Sequence, residues 1–280
     1  EDRCVRSSRC GVKQSSIKNR EILAGFDAMI YIYSGKRLHE ADSLTQALKL
    51  EKENLRERCP VISTVGAGGK TTTLHRLADE YVCVGVPVLV TTTTHIMKED
   101  REWFLSGFSE EKIKEQLQKT GQVWVGEPAP GGKLGRLSDS ALEKLLKWDI
   151  PVFIEADGAK RLPVKVPAEH EPVILPCTTH VLSVYGLDSV GQKIEDKVFR
   201  PEMAEILLKK KRTECVTEED IAQLAASDLA GRKGCPETAV YTVILNKADD
   251  EKRRKTALAV CRLLEEKGIR QVIVTGRQKS

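Results

Sequence analysis

What most constrains this chain is an alternation that repeats along most of its length: short β-branched runs separated by longer stretches of helical period. Residues 60–65, 87–91, 122–125, 151–154, 181–185, 240–245 and 271–274 read as strands, and 42–52, 70–81, 110–119, 138–147, 201–209, 217–227 and 252–267 as helices. Strands joined through helices line up in parallel, with helices covering both faces of the sheet. The expected architecture is therefore α/β, a doubly wound, mostly parallel sheet. A chain of 280 residues with 40% hydrophobic and 31% charged content can bury such a core. Residues 42–280 are expected to form it as one nucleotide-binding domain. Residues 1–41, basic and without a clear period, read as an N-terminal extension that is poorly ordered or atypical.

Between the first of these strands and its helix lies Gly66-Ala67-Gly68-Gly69-Lys70-Thr71-Thr72. A glycine turn in that place aims backbone N–H groups at phosphate oxygens, and the helix N-terminus adds partial positive charge. This is a P-loop pattern, which narrows the expected fold to the P-loop NTPase type. Lys70 would reach the terminal phosphates and the Thr71 hydroxyl would ligate Mg²⁺. The longer pattern G-x-x-x-x-G-K-[ST] needs a glycine where this chain has Thr64; the shorter G-x-x-G-K-[ST]-[ST] is similar to the loop of the Mur ligases and their relatives. Gly66, Ala67, Gly68, Gly69, Lys70, Thr71 and Thr72 are thus the candidate residues for binding GTP or ATP.

Glu155 and Asp157 follow the strand at 151–154, on the sheet edge where ligands bind in such folds. Glu155 is expected to hold Mg²⁺ with Thr71 and Asp157 to orient a nucleophile, so Lys70, Glu155 and Asp157 are the candidate catalytic set. The Glu155-x-x-Gly158 spacing resembles the metal-linked GTPases that load nickel enzymes. Asn246-Lys247-Ala248-Asp249, after the strand at 240–245, matches the N-K-x-D signature of GTPases. Its aspartate would accept hydrogen bonds from guanine; adenine lacks those donors, so GTP is favoured over ATP. Asn and Asp after a strand also make helix caps. In the proline- and charge-rich stretch 157–176, Lys160, Arg161 and Lys165 are candidates to neutralise a transferred phosphate or bind an anionic substrate, or else belong to a solvated loop.

Several function classes are disfavoured. The 45 basic and 41 acidic residues leave a net charge of only +4, with basic residues scattered or paired with acids, so no nucleic-acid partner is expected. The apolar stretch Ile22 to Tyr33 contains Asp27 and is too short to span a bilayer. No pair among the eight cysteines has C-x-x-C spacing. With a phosphate loop present, a cytoplasmic chain of free thiols is expected.

Taken together, the motifs resemble the YqeC family, also labelled selenium cofactor biosynthesis protein. The likeness runs from about Asp42 to the C-terminus. It rests on the loop 66–72, on Val90-Thr91-Thr92-Thr93-Thr94-His95, on Gly132-Lys133-Leu134-Gly135, and on the run from Ile154 through Asp157 and Lys160 to Val173. Gly186-Leu187-Asp188, Arg200-Pro201-Glu202 and Leu245 to Asp249 complete it. Phe199 departs from the histidine expected before Arg200. The resemblance implies a nucleotide-binding protein that assists maturation of selenium-dependent molybdenum hydroxylases in bacteria, with a molybdenum hydroxylase or selenium and molybdenum cofactor proteins as partners. A Mg²⁺-dependent NTPase is expected. Alternatives are a kinase or Mur-like ligase passing phosphate to a small acid, and a nucleotide-gated chaperone without significant turnover.

Overall fold

The structure, a computed structural model, describes residues 28–50 and 59–277. Its elements in chain order are β1 (Ala28–Ser34), β2 (Arg37–Glu40), α1 (Leu44–Ala47), β3 (Val61–Gly66), α2 (Lys70–Cys83), β4 (Val88–Thr92), β5 (His95–Met97), β6 (Phe104–Ser106), α3 (Glu110–Thr120), β7 (Gln122–Ala129), β8 (Lys133–Gly135) and α4 (Asp139–Leu146). After these come β9 (Val152–Glu155), β10 (Val164–Lys165), β11 (His180–Gly186), α5 (Ile194–Lys197), β12 (Val198–Phe199), α6 (Pro201–Leu208), α7 (Glu218–Ala226), β13 (Val240–Asn246), α8 (Glu251–Glu266) and β14 (Val272–Arg277). One sheet runs in the order β2-β1-β14-β13-β11-β3-β9-β4-β7-β8-β5, with β6 also on β7. All pairings from β14 to β7 are parallel.

The alternation of side chains along each strand explains why helices cover both faces. On β13, Ile244 packs with Leu74, Leu77 and Tyr81 of α2, while Val243 and Leu245 pack with α7 and α8 on the other side. β14 divides in the same way, Ile273 to one face and Val272 and Val274 to the other. Strands buried on both faces read as unbroken apolar runs, which is why they stand out in the sequence.

The winding fixes where a ligand can sit. From β3 the chain moves outward to β4 and β7, returns to β9, then crosses to β11 and continues outward through β13 to β14. β3 and β11 therefore flank the point where the winding reverses, and in open α/β sheets the crevice at the carboxyl ends of such strands is the ligand site.

Three expectations change. Residues 28–40, assigned above to the N-terminal extension, belong to the sheet: β1 pairs antiparallel with β14, and β2 with β1. Part of the apolar stretch 22–33 is apolar because Ile30 and Tyr33 are buried on opposite faces of that strand; residues 1–27 lie outside the described residues. The helix expected at 42–52 is a single turn, capped by Ser43, whose side chain accepts from the Gln46 amide. Lys49 then takes a left-handed conformation, and 51–58 are outside the described residues. The six described cysteines are free thiols, and no helix among the described residues is long and apolar enough to cross a membrane.

Candidate functional site

The turn between β3 and α2 depends on two glycines that no other residue could replace without movement. Gly68 has φ +85°, and a Cβ there would lie 2.6 Å from the Pro163 carbonyl oxygen. Gly69 has φ +138°, and its Cβ would run into the Asn246 side-chain amide. Both are left-handed positions that penalise L side chains. The turn delivers the chain into α2 with no side-chain cap. The first N–H groups of a helix have no intrahelical acceptor, so those of Lys70, Thr71 and Thr72, like those of Gly68 and Gly69, are without a partner among the described residues and line the cleft.

Gly66 and Ala67 play a different part from the one expected. The Gly66 amide donates to Asp157 Oδ2 at 3.1 Å, and the Ala67 amide to the Val184 carbonyl at 2.8 Å. These two residues shape the turn, and their donors are already committed.

Lys70 is buried. Its Nζ donates to the Gly66 carbonyl at 2.7 Å and lies 3.0 Å from Asp157 Oδ1. Burial disfavours its charge, yet the carboxylates of Asp157 and Glu155 more than offset this and hold its pKa above the ordinary lysine value. Thr71 Oγ1 donates to Glu155 Oε2 at 2.7 Å. Burial pushes the Glu155 carboxyl up, against the pull of Lys70 and the Thr71 hydroxyl. The two residues expected to hold Mg²⁺ are thus in contact, and both offer hard oxygen donors of the kind that ion takes.

Asp157 is not placed to orient a nucleophile freely. Besides Lys70 and the Gly66 amide it meets Lys165, whose Nζ is 3.2 Å from Oδ2. Lys165, read in the sequence as a loop cation, has a side chain only 1% exposed. It also meets Glu171 Oε2 at 2.7 Å and donates to the Gly158 carbonyl at 2.6 Å. Arg200 reaches the same Glu171 oxygen at 2.8 Å. Burial works against the Glu171 charge, but Lys165 and Arg200 bring its pKa below the usual carboxylate range. Sequence reasoning missed Glu171 and Arg200. They lie in a proline-rich loop and before α6, and only the parallel pairing of β10 with β12 brings them together.

The N-K-x-D motif stands at the end of β13. Asn246 Nδ2 donates to the Gly68 carbonyl at 2.9 Å, and Asn246 Oδ1 accepts from Thr275 Oγ1 at 2.9 Å. Lys247 pairs with Asp188 at 2.8 Å. Asp249 accepts from the Arg277 amide at 2.8 Å and from Arg253 at 3.3 Å. A cleft of about 1410 Å³ at the carboxyl edge contains Asn246, Lys247 and Asp249 together with Gly68 to Thr72 and Glu155, and reaches Lys133 at the other side of the sheet.

Reversed winding at β3, a glycine turn and an uncapped helix start beside a threonine–glutamate pair define an α/β protein of the P-loop NTPase type. A family model described as YqeC protein matches residues 62–202, and the chain belongs to the YqeC family. Over 144 residues it is 33% identical to the Uncharacterized protein YqeC of Escherichia coli (strain K12), covering 49% of this chain and 56% of the relative. The match therefore spans little more than half of that protein's length. Among solved structures, chloroplast FtsY from Physcomitrella patens aligns with a TM-score of 0.40 and 19% identity, over 79% of this chain and 63% of that one. Signal recognition particle 54 kDa protein from Aeropyrum pernix K1, in complex with GDP, aligns with a TM-score of 0.34 and 18% identity, over 75% and 40%. The fold class stands on the strand order and the loop, not on these distant likenesses.

Proposed function

We propose that this chain is a Mg²⁺-dependent nucleoside triphosphatase, GTP favoured over ATP, acting in the cytoplasm in the maturation of selenium-dependent molybdenum hydroxylases. The observation that carries the nucleotide reading is the bond from Asn246 to the Gly68 carbonyl, which fastens the base-reading motif to the phosphate loop within one cleft. The role in hydroxylase maturation draws on the family resemblance alone.

In this reading the open amides of Gly68, Gly69, Lys70, Thr71 and Thr72 take phosphate oxygens. The Lys70 ammonium gives up its bond to the Gly66 carbonyl to neutralise the terminal phosphates. Thr71 and Glu155 would hold Mg²⁺, which would supply charge neutralisation at the phosphates. Asp157 acts as a positioning residue, since its oxygens fix the Gly66 amide and both buried lysines.

The base preference has its own test. Asp249→Ala is expected to weaken binding of fluorescent GTP about tenfold or more, the scale of losing hydrogen bonds to a charged acceptor. ATP affinity should hardly move, and both titrations are run with and without Mg²⁺. Equal competition by the two purines, together with an Asp249→Ala variant indistinguishable from the parent, would remove the guanine assignment.

A further inference from the structure

The buried charges behind the phosphate loop come in equal numbers. The carboxylates of Glu155, Asp157 and Glu171 act on the cations of Lys70, Lys165 and Arg200. The side chains of Lys70, Asp157 and Lys165 are 4%, 2% and 1% exposed, so water does little for these charges.

This equality fails once Lys70 turns to a phosphate. Asp157 would then keep the Gly66 amide and whatever Lys165 supplies, and a buried anion left without a cation is strongly destabilising. Lys165 has capacity in reserve. Its Nζ stands 3.2 Å from Asp157 Oδ2, longer than the roughly 2.7–2.9 Å of a charge-assisted hydrogen bond. The same ammonium is 2.7 Å from Glu171 Oε2 and 2.6 Å from the Gly158 carbonyl. Glu171 can release it, because Arg200 lies 2.8 Å from the same Oε2 and the Ala168 amide donates to that oxygen at 3.3 Å. Arg200 is itself fixed by donation to the Val166 carbonyl at 3.1 Å. A small shift of the Lys165 ammonium toward Asp157 therefore closes the longer contact and leaves Glu171 with a cation of its own.

We propose that Lys165 is a positioning residue for the nucleotide site: it takes over Asp157 when the Lys70 ammonium leaves for a phosphate, with Arg200 holding Glu171. The proposal rests on the nucleotide reading above for what draws Lys70 away. Lys165 touches no ligand in this scheme. It acts through Asp157, whose Oδ2 also accepts from the Gly66 amide, so the turn keeps its shape during the exchange.

Thermal unfolding of nucleotide-free protein gives the first test, on the parent, Lys70→Ala, Lys165→Met and the double variant. Either cation can hold Asp157 when the other is gone. The fall in melting temperature in the double variant should therefore exceed the sum of the single falls, by on the order of 5 °C. The excess should vanish when Asp157→Asn is added, because the shared anion is gone; a double variant that folds only with Asp157→Asn is the same result. Additive falls, or a loss that persists with Asp157→Asn, overturn the proposal.

Calorimetric titration with Mg²⁺ and the imido analogue of GTP gives the second test. Binding is expected to be about tenfold or more weaker in Lys165→Met, and about threefold or more tighter in Glu171→Gln, which leaves Lys165 to Asp157 alone. Both effects act through Lys70 and should disappear in a Lys70→Ala background. Persistence there would trace them to the charge of the cluster by itself, and weaker binding by both variants would trace them to packing; either overturns the proposal. If the parent fails to bind the analogue while the unfolding excess appears, the nucleotide reading falls and the exchange at Asp157 stands. If the parent binds it and the falls are additive, this proposal alone falls.

Discussion

Lys70→Ala is expected to lower nucleoside triphosphate hydrolysis by about 100- to 1,000-fold, the loss typical when one preorganised group that stabilises developing charge is removed. The structure also predicts a cost outside catalysis. Lys70 is one of two buried cations on Asp157, and breaking a buried ion pair outright costs about 3–5 kcal/mol. Lys165 and the Gly66 amide still hold Asp157 after the substitution, so the stability loss should be smaller than that. Turnover and thermal unfolding measured on the same preparation separate the two effects. A folded Lys70→Ala protein that hydrolyses nucleotide at the parent rate would reject the mechanism.

The largest effect on stability is expected from Lys165→Met. This ammonium sits between Asp157 and Glu171 and donates to the Gly158 carbonyl, with a side chain 1% exposed. Methionine fills similar volume but leaves both carboxylates short of a partner, Asp157 with Lys70 and Glu171 with Arg200. Because each carboxylate keeps one cation, the loss should fall near the lower end of the range for a broken buried pair, about 3 kcal/mol, lowering the melting temperature on the order of 10 °C for a domain of this size. Lys165→Met/Glu171→Gln should recover part of that loss, because one stranded charge is gone and the two sites are directly coupled. Scanning calorimetry of the parent, the single and the double variant decides it; a melting temperature unchanged by Lys165→Met would mean that the cluster contributes no net stability.

Much of this arrangement was legible in the residues. The central strands are apolar on both faces, and Gly66 to Thr72 lies between one of them and a helix, so the parallel sheet and its loop followed from local pattern. The edge hairpin was missed although it left a signal. Tyr31, Ile32 and Tyr33 alternate faces, and Gly35-Lys36, both with positive φ, form the two-residue turn that hairpins favour. The buried cluster left no comparable trace. Lys165 and Glu171 stand among prolines and charges that read as a solvated loop, and their burial depends on a tertiary contact with the strand before Arg200. Lone charges carry no period, so sequence cannot tell a solvated lysine from one sealed between two carboxylates.

The antiparallel strand laid along β14 has a further consequence. β14 carries Thr275 and Arg277, the partners of Asn246 and Asp249, so the base-reading end of the cleft lies against the flank of the sheet that this strand covers. Stripping away residues 28–40 would leave a naked row of peptide groups along β14, a template for any other extended chain. The strand that covers β14 thus also braces the recognition end of the crevice.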